Sequence, residues 1–149
     1  MSLISTLRNM SFREKSAWAM TIVLTGGAWF YFSKVVRISA DLGETAPPMI
    51  GLVIAYVVLI VIASIIVMIV LAASAGQEAD APADEREQRI QDKAGNWSGY
   101  VLALPLLGAL WHYSVNMDGN MLFHLAFLGL MASQIAEYVF QIVLYRRGG

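Results

Sequence analysis

The sequence predicts an all-α membrane protein, an antiparallel four-helix transmembrane bundle with both termini on the inner side (N-in/C-in). Three observations predict it. The chain is 58% hydrophobic and only 14% charged, with a mean hydropathy of +0.60, whereas a soluble domain carries about 25% charge. Its apolar residues gather into four long runs, about 15–33, 49–74, 97–114 and 121–145, each long enough or nearly so to cross a ~30 Å hydrocarbon layer. Its basic residues are unevenly distributed. With the N-terminus inside, the inner segments hold Arg8, Arg13, Lys15, Arg86, Arg89, Lys93, Arg146 and Arg147, and the outer ones hold Lys34 and Arg37, a bias of eight to two. Residues 1–149 read as one domain, with a cytoplasmic loop at 75–96.

Leu3, Ile4, Leu7 and Met10 recur at helical spacing, which suits either a short interfacial helix or a frayed terminus. Ser11 with Glu14 three residues on forms a capping box that starts the first span. Trp18 marks one end of that span and Trp29, Tyr31 and Phe32 the other, as interfacial aromatics do. Lys34 to Pro48 reads as a polar connection, in which Gly43, Pro47 and Pro48 break any helix. The second span has no charge from Met49 to Ser74. Residues 75–82 read as a linker, after which Asp84 to Glu87 caps a polar helix with an i,i+4 pair from Glu85 to Arg89. That helix has Ile90 as almost its whole apolar side, so it is solvated or docks on a partner through Glu85, Arg86, Arg89 and Lys93. Gly95 and Gly99 lead into the third span, Pro105 is expected to kink it, and residues 116–120 turn into the fourth. The stripes Ala17/Thr21/Thr25, Gly51/Ala55, Gly95/Gly99/Ala103 and Gly129/Ser133 suit close helix packing or an oligomer interface.

The fourth span contains an acid, Glu137, nine residues before Arg146 and so about 13 Å along the helix from that end. Lipid offers a carboxyl no hydrogen-bond partner, so Glu137 must face protein or water. Ser133, Glu137 and Gln141 share one helical face, with Gln134 beside them. Counting depth from the inner boundary sets Thr21, Thr25, Ser64 and Tyr100 at a similar level, so these residues are expected to form a polar core, with Tyr100 or Thr25 donating to the carboxyl. Such a core is either a proton- or cation-binding site or hydrogen-bonded glue between helices or subunits.

His112 and His124 lie at similar distances either side of the turn near Asp118, and with that carboxylate could hold a divalent transition metal; two facing histidines could also ligate haem. The expected default is no cofactor. There is no cysteine, which excludes disulfides, thiol nucleophiles and Cys-ligated centres. A net charge of −1 gives no electrostatic reason to expect nucleic-acid binding. No phosphate loop, HExxH motif or plausible catalytic triad is present, so no enzymatic activity is expected. The leading expectation is a non-enzymatic regulatory or accessory subunit in the bilayer, as a homo-oligomer or with a membrane or cytoplasmic protein. The alternative is a small proton-coupled transporter using Glu137.

Several short motifs point further. Glu14-Lys15-x-x-Trp18 opens the first helix, and Asp84-Glu85-Arg86-x-x-x-Ile90-x-x-Lys93-Ala94 precedes the third, followed by Gly99-Tyr100. Ala136-Glu137 and Leu144-Tyr145-Arg146-Arg147-Gly148 close the fourth. Together these resemble a family of small, uncharacterised bacterial inner-membrane proteins with four membrane spans. The resemblance implies a multi-pass location in the bacterial inner (cytoplasmic) membrane and, from genes of small helix-turn-helix regulators that often neighbour that family, a hint of regulation. It assigns no catalytic residue.

Overall fold

The computed structural model describes residues 10–76 and 84–147; the expected interfacial helix at the N-terminus and most of the 75–82 linker lie outside them. Among the described residues there are four helices: α1 (Phe12–Leu42), α2 (Ile50–Ala75), α3 (Glu85–Asn116) and α4 (Gly119–Arg147), and no strand. Three of them, α1, α2 and α4, are long and apolar enough to cross a membrane. The remaining expected run, on α3, is the least apolar of the four. α3 is 32 residues long, but Trp97, Tyr100, Trp111, His112 and Tyr113 dilute its apolar run.

The helix ends follow local chemistry. Ser11 Oγ accepts from the Glu14 backbone N–H at 3.2 Å, which satisfies one of the unpaired amides at the start of α1. Asp84 and Glu87 form a complete reciprocal capping box on α3. Asp118 Oδ1 accepts from Met121 N at 2.9 Å and so caps α4. α1 does not stop near Ser33 as expected. The segment 34–42 carries Lys34, Arg37, Ser39 and Asp41 among apolar residues and holds no Gly or Pro, so the helix continues to Gly43, which ends it in the left-handed region (φ 71°). The charged segment before the third span is likewise not a separate helix. It runs unbroken into α3 through Gly95 and Gly99, each of which costs about 1 kcal/mol relative to Ala. Packing opposes that cost, because Ile90 and Ala94 are buried against Leu144 of α4, with Phe140 and Tyr145 around them.

α1 packs on α2 and α4, and α4 also packs on α3, so the principal contacts follow the order α2–α1–α4–α3. Contacts between α1 and α2 step from Ser16 with Met68 to Gly27 with Ile60 and Tyr31 with Tyr56. Those between α3 and α4 step from Ile90 with Leu144 to Trp97 with Phe140 and Leu102 with Gly129. The core sits where α1, α2 and α4 meet. Tyr31 is fully buried there with Val35, Ala46, Tyr56 and Met131. The rings of Tyr31, Tyr56 and Phe127 meet edge-on at 4.8–6.1 Å. Such ring pairs contribute about 0.5–1.5 kcal/mol each beyond burial. α2, by contrast, buries only Tyr56 and packs Leu52, Val53 and Ile60 against the core, leaving most of its other side chains exposed.

Candidate functional site

Glu137 lines a cavity of about 270 Å³ to which every helix contributes: Arg13, Ser16 and Ala17 from α1, Met68 from α2, Gln91 from α3, and Tyr138 and Gln141 from α4. The helical repeat explains α4's share, since positions 137, 138 and 141 fall on one side at spacings of one and four. Gln91 reaches the cavity because Ile90 and Ala94, its neighbours along α3, are seated on α4. Glu137 is half-buried and Gln141 buried. Among the described residues Glu137 makes no hydrogen bond or ion pair. The other charged residue lining the cavity is already engaged, because Arg13 Nε lies 2.8 Å from Glu87 Oε2. Among the described residues Glu137 is therefore the one charged-type side chain of the lining without a partner, and Gln91, Gln141 and Ser16 line the same cavity.

This cavity lies near the charged ends of the helices, Arg13 being in the first turn of α1. Arg146 pairs with Glu14 at 3.5 Å and lies over the Trp18 ring, and Lys93 lies over Trp97 at 5.1 Å. Exposed pairs of this kind contribute roughly 0–1 kcal/mol each, so their value is positional: they mark where a headgroup layer would begin. A neighbouring cavity of about 410 Å³ lies beyond Ser16, Met68 and Tyr138, which line both, and it contains Ser64. Ser16 Oγ donates to Met68 Sδ at 3.2 Å across that divide.

The expected polar core is thus assembled only in part. Gln141 joins Glu137 in the cavity, and Ser64 lines the space next to it. Tyr100 does not approach Glu137: it is 68% exposed, and Thr25 is exposed as well. Thr21 donates to the Ala17 carbonyl at 2.8 Å, Ser133 donates to the Leu130 carbonyl, and Gln134 is exposed. Equal depth is the ground for expecting Thr21, Thr25 and Tyr100 there, and depth says nothing about azimuth; Ser133 shares the face of Glu137 but turns its hydroxyl back to its own helix. Arg13, Ser16, Gln91 and Tyr138 were not anticipated. Arg13 and Gln91 carry a readable signal, being polar residues in the terminal turns nearest the acid.

The metal or haem arrangement of His112, His124 and Asp118 is also corrected. His124 is buried, and its Nε2 lies 2.9 Å from the Ala46 carbonyl, which can only accept. Nε2 therefore carries a proton, and in the neutral ring Nδ1 accepts from the Tyr31 hydroxyl at 3.2 Å. Neither nitrogen has a lone pair left for a metal. His112 Nδ1 instead meets the Asn116 amide on its own helix. Asp118 caps α4 and accepts from Thr45 Oγ1 at 3.1 Å. Its carboxyl sits below the ordinary carboxylate range, held there first by the Met121 N–H, then by Thr45, the Asn120 N–H and the nearby His112.

Glu85 and Arg89 form the expected i,i+4 pair at 3.1 Å, and with Arg86 and Lys93 they lie on the exposed side of α3. No family model, curated protein or solved structure matches the chain.

Proposed function

We propose that this chain is a non-enzymatic, four-span antiparallel protein of the bacterial inner membrane, N-in and C-in, whose inner cavity binds a proton or a small monovalent cation through Glu137. The eight-to-two distribution of basic residues supports the orientation. The long seam of α3 against α4, together with the exposed Leu104, Leu107 and Leu110, supports α3 as the remaining span. One observation carries the functional reading. An acid within an apolar helix lines a cavity built by all four helices and, among the described residues, has no partner there. An intramembrane carboxyl in such surroundings is a site for a mobile cation, since a purely structural one would be expected to hold its hydrogen bonds. In proteoliposomes with an internal pH-sensitive dye, the wild type should dissipate an imposed proton gradient faster than Glu137→Gln. Equal rates would refute transport through this site.

A second reading, the accessory or regulatory subunit, is favoured by a different feature. The inner turn of α3 is fixed to α4 through Ile90 and Ala94, so Glu85, Arg86, Arg89 and Lys93 are presented on a stiff, exposed face. Reversing Arg86, Arg89 and Lys93 to Glu should then abolish copurification of an acidic partner and leave gradient dissipation unchanged.

A further inference from the structure

At the opposite end of the molecule from Glu137, the ends of α1 and α4 that flank the α1–α2 loop line an open cavity of about 480 Å³. Its walls are apolar: Phe32, Val35 and Val36 from α1, Leu125 and Leu128 from α4. Its polar groups collect where the loop crosses, at Ser39, Glu44 and Thr45. Most of that polar chemistry is already in use. Ser39 Oγ accepts from Ala46 N at 2.9 Å, Thr45 Oγ1 donates to Asp118, and both His124 nitrogens are engaged. Glu44 makes no hydrogen bond or ion pair among the described residues. The loop is also held from several directions, by Ser39 of α1, by His124 of α4 and by Asn120 Nδ2 on the Thr45 carbonyl at 3.2 Å. A mouth pinned in this way is formed before anything binds, which lowers the cost of binding.

An apolar slot of this volume with one polar end is the usual form of a small-molecule site. We propose that it binds a single-chain amphipathic amine, with the alkyl chain between α1 and α4 and the ammonium group on the Glu44 carboxylate. The sign of the charge selects a cation. A diacyl phospholipid suits the slot less well, because its phosphate would meet that carboxylate. The site lies beside the aromatic core and away from Glu137, so it stands or falls independently of the cation reading above.

Isothermal titration of octylammonium into the full chain in phosphatidylcholine nanodiscs tests this, with empty nanodiscs titrated in parallel to remove bilayer partitioning. We expect saturable binding above the empty-disc baseline. A charged hydrogen bond is at stake, so Glu44→Gln should weaken binding about tenfold or more, and octanol should bind about as poorly as octylammonium does to that variant. Leu125→Trp, which fills the slot, should abolish binding, and Glu137→Gln should leave it intact. No saturable signal, or equal binding by wild type and Glu44→Gln, overturns the proposal. Loss of octylammonium binding in phosphatidylethanolamine discs also overturns it, since that would make a lipid headgroup the occupant. Glu44 is exposed, so its variant should fold even if the Leu125 variant does not.

Discussion

Glu137 and His124 lie 13 positions apart on α4, about 20 Å along its axis, and differ in whether their polar atoms are satisfied. His124 has a partner for each nitrogen and ties α4 to α1 and to the α1–α2 loop. Tyr31→Phe keeps the buried ring but leaves Nδ1 without a donor, so it should cost about 1–3 kcal/mol in reversible denaturation in mixed micelles. An unchanged midpoint would show that this bond contributes nothing. Asp118 supplies a pH-dependent contribution whose sign follows from its depressed carboxyl. Its stabilisation is complete above the ordinary value of 3.8 and is lost as pH falls through the lower folded-state value. Asp118→Asn keeps an N-capping side chain and removes the charge, so it should flatten the acid limb of the stability profile while leaving helix content unchanged. At this scale the sequence was legible for the kind of residue and much less so for its direction. Glu137 was singled out as an acid in an apolar run. Tyr100 and Thr25 were grouped with it by depth, yet they point elsewhere, because the rotation of each helix is set by packing that no single helix encodes.

At the scale of the elements, two glycines set how closely the helices approach. A Cβ on Gly27 would collide with the end of the Ile60 side chain and press on Tyr56 at 3.1 Å. A Cβ on Gly129 would meet Pro105 at 3.3 Å and the Leu102 carbonyl oxygen at 3.4 Å. Ile60 is flexible at its tip and can yield, whereas a backbone carbonyl and a proline ring cannot. Gly129→Val should therefore cost more than Gly27→Ala, about 1–3 kcal/mol, in a comparison of midpoints. The opposite order would show that α3 can slide on α4. The caps at Ser11 and Asp84 were readable because capping is local chemistry. The continuity of α3 was not, because Gly95 and Gly99 look like breakers until Ile90 and Ala94 find Leu144 across the seam. The extension of α1 to Leu42 is hidden in the sequence for a related reason. Polarity suggests a loop, but a helix needs a breaker to end it, and none comes before Gly43.

For the whole molecule, the order α2–α1–α4–α3 places α2 and α3 at the flanks and the paired α1 and α4 at the centre. Both cavities with a polar end border that central pair. The all-helical character and the long apolar helices are legible in the apolar runs, since that pattern answers to the bilayer. Which residues of the four helices line the cavity at Glu137 is not legible, because it depends on long-range packing. The chain lacks cysteine, so single cysteines report topology without background. In intact cells, a cysteine replacing Glu44 should react with a membrane-impermeant maleimide, and one replacing Arg86 should react only after lysis. Labelling of both before lysis would contradict the orientation. The most direct test of the central claim, that Glu137 is an exchangeable carboxyl served by its cavity, is an infrared difference spectrum of the reconstituted protein between acidic and alkaline buffer. The account predicts a carboxyl C=O band that shifts in D₂O and vanishes in Glu137→Gln; a spectrum identical in wild type and variant would contradict it.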